Sequence, residues 1–462
     1  MGESGPIKNR AQLLRSEETD LEARHLILGA IEAALSSIDP QNLIKGHVKR
    51  DGDRIQIDHL SIDLKEVDKI YVIGGGKASA PMAEALYSIL GDRIHYGIVA
   101  IPKYQHRRFY TGSIELLKAG HPIPTIESLS AASKILELTD DLNEDDLVFC
   151  LISGGGSALM TSPIEGVTLE DKQSITKSLI QSGATIDELN IVRKHLSNIK
   201  GGRLAQKIYP ARVISLIISD VVGNRIETIA SGPTAPDPST YKDAVEILKK
   251  YDIWSKAPES VRKVLEKGVD GLIPETPKSG DKIFERVHNF IIGSNDLACE
   301  SALKYLESNG LDACILTTLL EGEAREVGKV VSAIARYMKV KKLGARGISI
   351  VLGGETTVTV KGSGKGGRNQ ELVLSACRYI DNVRGLAIAS VGTDGIDGFT
   401  DAAGGIVDSY TLSRAKRMGL NVESFLQNND SNTFLERLGD TIITGPTGTN
   451  VNDIIIAVRI FE

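Results

Sequence analysis

Several short stretches of this chain combine glycine with hydroxyls, amides or charge at spacings suited to small anions. The first is Gly74-Gly75-Gly76-Lys77-Ala78-Ser79. Glycines let backbone N–H groups approach an anion, and a following helix N-terminus adds partial positive charge. Lys77 is a mobile cation for a phosphate or a carboxylate, with Gly75, Gly76 and Ser79 as its candidate co-ligands. Two nucleotide templates fail here. A Walker A loop needs Gly at position 71 and a hydroxyl after the lysine, where Tyr71 and Ala78 stand. A dinucleotide turn needs Gly in place of Ser79 and an acid closing the next strand, where Lys103 stands. A purely structural turn remains an alternative. The second stretch is Ser153-Gly154-Gly155-Gly156-Ser157, whose amides and two hydroxyls can cradle phosphate or carboxylate. The third is Ser219-Asp220-Val221-Val222-Gly223-Asn224. Asp220 closes an apolar run, where it can hold Mg²⁺, accept a substrate proton, or cap the next helix.

A second group lies nearer the C-terminus. Gly353-Gly354-Glu355 precedes Gly362-Ser363-Gly364-Lys365-Gly366-Gly367-Arg368-Asn369-Gln370, a glycine-rich loop carrying Lys365 and Arg368. Such a loop can wrap a polyanion, and a guanidinium suits two-point contact with phosphate oxygens. Gly392-Thr393-Asp394-Gly395-Ile396-Asp397-Gly398 looks at first like a Ca²⁺ loop, but its glycine falls at the wrong place and no Glu closes it. Mg²⁺ or nucleotide hydroxyls suit Thr393, Asp394 and Asp397 better, with an Asx turn as the plain reading for at least one Asp. Thr447, Thr449 and Asn450 lie in a hydroxyl- and amide-rich loop before the last apolar run, and Asn295 lies in a strand-to-helix turn; both read as ligand positions. His121 in Gly120-His121-Pro122 reads as a turn histidine, and no Gly-x-Ser-x-Gly elbow supports a nucleophile triad.

The elements that must hold these loops repeat one unit: an apolar run, a glycine or polar turn, then an amphipathic helix. Lys69–Ile73, Leu147–Ile152, Val213–Ser219, Ile291–Gly293, Ile348–Gly353 and Leu386–Val391 are such runs. Their alternation with helical patterns predicts an α/β fold of two Rossmann-like three-layer domains with mainly parallel sheets. Residues 268–286 are rich in Gly, Pro, Lys and Asp without periodicity and read as a linker. The expected domains are therefore 1–285 and 286–462. Helical spacing over 10–38 gives one or two helices, which could pack on either domain.

With 462 residues, two or three domains are expected. A net charge of −6 with mixed signs gives no reason to expect nucleic acid or an acidic membrane surface as a partner. Cys150, Cys299, Cys314 and Cys377 show no paired spacing and read as reduced, buried thiols, and the histidines form no metal-ligand cluster. The N-terminus lacks an apolar signal core and no run is long enough to span a bilayer, so a cytoplasmic location is expected.

Taken together, the motifs resemble one family closely. IGGGKAS at 73–79, GHPIP at 120–124, SGGGSALM at 153–160, LNIVRKHLSNIKGGRLA at 189–205, SDVVGN with IASGPT at 219–234, GGETTVTVKGSGKGGRNQE at 353–371, GTDGIDGFTDAAGG at 392–405 and TGPTGTNVND at 444–453 resemble the class II glycerate kinases with a C-terminal MOFRL domain. The resemblance implies phosphorylation of D-glycerate with ATP and Mg²⁺ or another divalent cation, giving 2-phosphoglycerate as in branched or non-phosphorylative Entner–Doudoroff metabolism. It implies an active-site cleft between two α/β domains and a homodimer. Lys77 and Arg368 become the leading catalytic residues, with Asp220 beside them. Ser153 to Ser157, Arg193, Lys365 and Asn369 are expected to touch substrate or phosphate. Glu355, Asp394, Asp397 and the Thr447–Asn450 loop are expected to touch nucleotide, as are Asn295 and Thr393, and Asp220 and Asp394 the metal. An NAD(P)H-dependent hydroxypyruvate or tartronate-semialdehyde reductase is the alternative. The chain departs from the commoner pattern at Asn224, Phe399 and Asn432, which alters loop shape and leaves Lys77, Asp220 and Arg368 intact.

Overall fold

Apolar runs bounded by glycine turns become strands buried on both faces, as Leu147–Ile152 illustrates. The computed structural model describes residues 5–15, 18–105, 109–339 and 344–461. It divides into two compact units, Pro40–Ile292 and Met1–Asp39 together with Gly293–Glu462.

In the Pro40–Ile292 unit, a three-stranded antiparallel meander comes first: β1 (Val48–Asp51), β2 (Arg54–Ile57) and β3 (Leu60–Asp63). The main sheet follows with β4 (Ile70–Gly75), β5 (Ile94–Pro102), β6 (Tyr110–Thr111), β7 (Ile114–Ala119), β8 (Leu147–Ile152), β9 (Arg212–Ile218) and β10 (Val287–Gly293). Its order is β10-β9-β8-β4-β5-β7-β6, and β9, β8, β4, β5 and β7 run parallel. The chain winds outward from β4 in one direction through β5 and β7, then returns to start β8 on β4's other side. That reversal places the topological switch point between β4 and β8, where parallel sheets bind ligands beyond the strand C-termini. Gly75 pairs with Ile152, so the two strands end level and release their glycine loops side by side.

A helical layer of the same unit is built from Leu169–Gln181, Ile186–His195, Tyr241–Lys250 and Glu259–Val269. Thr168, Thr185 and Thr240 each start a helix with a reciprocal capping box to the acidic residue three positions on, an arrangement worth ~1 kcal/mol per cap. The apolar faces of these helices meet around Leu179, Val192, Tyr241, Leu248 and Leu265.

The other unit carries β11 (Leu311–Glu323), β12 (Gly347–Thr357), β13 (Leu386–Gly392), β14 (Gly404–Asp408), β15 (Thr441–Ile442) and β16 (Asp453–Ile460), in the order β11-β12-β16-β13-β14-β15. Helices Leu21–Ser37 and Asn295–Ser308 cover one face. Helices Ala324–Tyr337, Arg368–Cys377 and Ser431–Leu438 cover the other, around Val331, Leu372, Phe434, Ile388 and Ile455.

Three expectations need adjustment. The later boundary falls at Ile292/Gly293, close to the expected 285, but Met1–Asp39 belongs with the C-terminal unit and not with the 1–285 domain. Arg24, 1% exposed, is the reason: it pairs with Asp408 and, at 2.9 Å, with Asp440. Segment 268–286 is likewise no free linker, since Thr276 is buried and donates to Asp237, and Glu275 accepts from the backbone of Tyr241. The parallel pattern holds in the larger sheet. The smaller sheet is mixed, because β16 inserts antiparallel between β12 and β13.

Candidate active site

Beyond the C-termini of β4 and β8, the two glycine loops are tied together. Lys77 N–H donates to the Gly154 carbonyl at 2.8 Å, and Ala78 N–H to Ser153 Oγ at 3.0 Å. Ser79 Oγ donates to the Leu151 carbonyl and stands 3.4 Å from Ser153 Oγ. Ser79 and Ser153 are both buried, so these hydroxyls act as loop braces. The contacts are so close that side chains are excluded. A Cβ on Gly154 would lie 2.3 Å from Asp220 Oδ2. Gly155, in the left-handed region at φ +85°, would press its Cβ to 2.9 Å from His121 Nε2 and 3.5 Å from Lys77 Cγ.

The structure thus brings Lys77, Asp220, the second glycine loop and His121 to one place. Among the described residues no carboxylate pairs with Lys77. Burial and the nearby Lys77 ammonium push the His121 imidazole down to about 4, so it is neutral at physiological pH. Its place here was not legible as a site from sequence, although Gly120-His121-Pro122 lay within a recognisable stretch. At the far end of the loop, Ser157 Oγ lies 2.7 Å from Ser231 Oγ, which also reaches Asn190 at 3.1 Å. Lys200 Nζ donates to the Ser157 carbonyl at 2.7 Å. Arg193, one turn after Asn190, stands on the same helix.

The other unit has its own convergence. β12 and β13 end, and β16 begins, at one edge: Asp453 is in register with both Gly354 and Gly392. Arg368 starts its helix there. Its Nε and Nη2 donate to Asp453 at 2.7 and 3.0 Å, and Nη1 donates to Glu355 at 2.7 Å. Burial raises the Asp453 carboxyl, and Arg368 and Asn369 oppose that rise. The arginine expected to meet phosphate is therefore held by two carboxylates. Three of its five N–H groups are engaged, leaving two for a ligand. Asp453 is a residue that sequence reading did not single out.

The remaining expected residues of this unit divide by burial. Asp397 accepts from the backbone N–H of Asn369 at 3.1 Å and of Gln370 at 2.9 Å, and from both their side chains, so it caps the Arg368 helix. Asn369 also donates to Asp453 at 3.0 Å. Asn295 donates to the carbonyls of Val451 and Asp453, and Thr393 bonds the backbone of Asn452 and Val451. These buried groups hold loops in place. Asp394 makes an Asx turn to Ile396 N–H and is partly open. Thr447 bonds the Thr393 carbonyl, Thr449 Oγ1 is buried without a partner among the described residues, and Asn450 accepts from Asn452 N–H. Lys365 is exposed, while its loop is fixed by Asn428, Asn429 and Asp430, which accept from Ser363, Gly362 and Lys365 N–H.

Among the described residues no three Asp, Glu, His or Cys side chains converge as metal ligands. Mg²⁺ usually takes one or two carboxylates and completes its shell with phosphate and water, so single carboxylates such as Asp220 or Asp394 fit that habit. A cavity of about 790 Å³ opens beside the strand N-termini, lined by Asp68, Asp145, Asp146 and Arg212, at the end opposite the glycine loops. Among the described residues no helix is long and apolar enough to cross a membrane.

Residues 26–266 match a domain of unknown function (DUF4147), and residues 348–453 match the MOFRL family. The chain is 44% identical over 445 residues to the glycerate 2-kinase of Pyrococcus horikoshii, covering 95% of this chain and 98% of that one. It is 44% identical over 391 residues to the D-glycerate 2-kinase of Thermotoga maritima, covering 84% and 90%. The crystal structure of a Thermotoga maritima glycerate kinase superposes with a TM-score of 0.83 at 40% identity, covering 94% of this chain and 99% of that one. On these matches, the chain belongs to the class II glycerate kinase family with a MOFRL domain.

Proposed function

We propose that this protein is a cytoplasmic, homodimeric glycerate kinase that transfers the γ-phosphoryl group of ATP to D-glycerate, forming 2-phospho-D-glycerate. The observation that carries the reading is the Lys77 loop braced against the Ser153–Ser157 loop at the switch point of a parallel sheet. It is supported by glycerate 2-kinases that match nearly the whole chain.

Phosphoryl transfer needs positioning and charge neutralisation more than covalent chemistry. Lys77, without a carboxylate partner among the described residues, supplies positive charge to the transferring group. Asp220 orients the attacking hydroxyl or takes its proton, with metal ligation as its rival role. Neutral His121 beside Lys77 donates or accepts a hydrogen bond without competing for the anion. Arg368 offers its two remaining N–H groups to phosphate oxygens, its plane fixed by Asp453 and Glu355. Lys365 adds a mobile charge. Mg²⁺, held by Asp220 or Asp394 with the phosphates, supplies further charge neutralisation when bound. The reductase alternative needs an acidic residue after β5 to hold a ribose; Lys103 stands there and pairs with Glu127 at 2.7 Å. The test is to mix the protein with D-glycerate, ATP and Mg²⁺, follow ADP release and identify the phosphoglycerate isomer. Loss of NAD(P)H with hydroxypyruvate, and no ADP, would overturn the kinase reading.

A further inference from the structure

Basic residues of the helical layer fall into two groups. Lys194 pairs with Asp237 and His195 with Glu275, each at 3.2 Å. Their neighbour Arg193, together with Lys172 and Lys200, pairs with no carboxylate among the described residues. Yet Lys172 is 5% exposed and Lys200 2%. Among the described residues their ammonium groups reach only backbone carbonyls, Leu196 at 3.3 Å and Ser157 at 2.7 Å. Among the described residues the Arg193 side chain makes no hydrogen bond, and it is only partly buried. Burial, and then the charge of Arg193, push Lys172 down to about 7. Burial and both neighbouring cations push Lys200 well below its ordinary value. Burying these groups as cations without counter-ions is costly, which favours the neutral amines, and an anion joining Arg193 there offsets that cost and favours their protonated form.

The cluster also lies beside the chemistry. Lys200 holds the Ser157 carbonyl, while Gly154, three residues earlier, lies against Asp220. Chain geometry limits the span from Gly154 to Ser157 to about 11 Å. Two long side chains and a small hydroxy acid bridge such a gap.

We propose that Arg193, backed by Lys172 and Lys200, is the subsite that takes the substrate's carboxylate and directs its hydroxyl toward Asp220. This rests on the glycerate kinase reading. It adds the group by which a hydroxy acid is told from an uncharged polyol.

The test compares the wild-type protein with Arg193→Met, Arg193→Lys and Lys172→Met. Steady-state ADP release is measured against D-glycerate and ATP separately, and thermal shifts with D-glycerate, glycerol or inorganic phosphate alone. Arg193→Met should raise KM for glycerate ~10–100-fold with little change in KM for ATP. Arg193→Lys should recover part of that loss, and Lys172→Met should show a smaller rise of the same kind. D-Glycerate, and not glycerol, should stabilise the wild type, and Arg193→Met should abolish the shift. If KM for ATP rises instead, or phosphate alone gives the Arg193-dependent shift, the pocket holds phosphate and the carboxylate assignment falls. An active wild type with an unchanged glycerate KM in all three variants overturns this proposal alone. A wild type that releases no ADP with glycerate overturns the kinase reading itself.

Discussion

Gly154→Ala isolates the role of Asp220 without touching that residue. Gly154 lies outside the left-handed region, so alanine brings no backbone strain. Its new Cβ would sit 2.3 Å from Asp220 Oδ2 and 2.8 Å from Cγ, where ordinary contact begins at 3.4 Å. The carboxylate must therefore retreat by about 1 Å to restore normal separation. A displacement of that size at a group orienting the nucleophile lowers kcat ~10²-fold. The same overpacking should destabilise the unit by ~1–3 kcal/mol. Coupled measurement of ADP release gives kcat, and urea unfolding gives the stability term. The decisive background is Asp220→Ala, which removes the clash: there, Gly154→Ala should cost little further activity. Wild-type kcat in Gly154→Ala, or an equal loss on the Asp220→Ala background, would refute the reasoning.

Three other outcomes are expected. Lys77→Met and Arg368→Lys should each lower kcat ~10²-fold, the second because a lysine cannot hold Asp453 and Glu355 while facing phosphate; near-normal turnover in either removes its role. Asp408→Ala should destabilise the unit containing Arg24 by ~3–5 kcal/mol in urea titration, because a buried guanidinium loses a partner; a change within a few tenths would contradict the burial argument. Lys172, pushed from 10.5 down to about 7, is bare in the folded chain and protonated in the unfolded one between those values. Its contribution makes stability rise with pH across that window, so unfolding of wild type and Lys172→Met near pH 7 and near pH 10 should show the slope diminished in the variant.

Much of this was readable from residue order. β8 matched its expected bounds because a run of six apolar residues between charged and glycine segments has one way to be buried in a parallel sheet. β1 to β3 and β14 escaped, since the first three carry many exposed polar residues and β14 hides inside Gly404-Gly405. The Lys77 and Ser153–Ser157 loops were legible from their glycines. Lys172 was not, because a lysine on an amphipathic helix looks solvated until the neighbouring helices are placed over it. Arg368 was found, but its two carboxylate partners lie 13 and 85 residues away, a pairing only the fold reveals. Asp397 and Asn295 looked like ligands because caps and ligands draw on the same polar side chains.

The union of residues 1–39 with the C-terminal unit has a consequence for how the chain is made. Helix Leu21–Ser37 leaves the ribosome well before its partners, with Ile27, Leu28 and Ile31 destined for full burial. One of its partners, β16, is Asp453–Ile460, an inner strand of its sheet. Roughly 400 residues separate them, which at ~5–20 residues per second is ~20–80 s of synthesis. Throughout that interval the Pro40–Ile292 unit can complete its own sheet, while the helix Leu21–Ser37 has at most earlier-made partners such as Asn295–Ser308 to cover its apolar face. Completion of this unit is then timed by β16, and the helix Leu21–Ser37 needs shelter from aggregation until that strand is made.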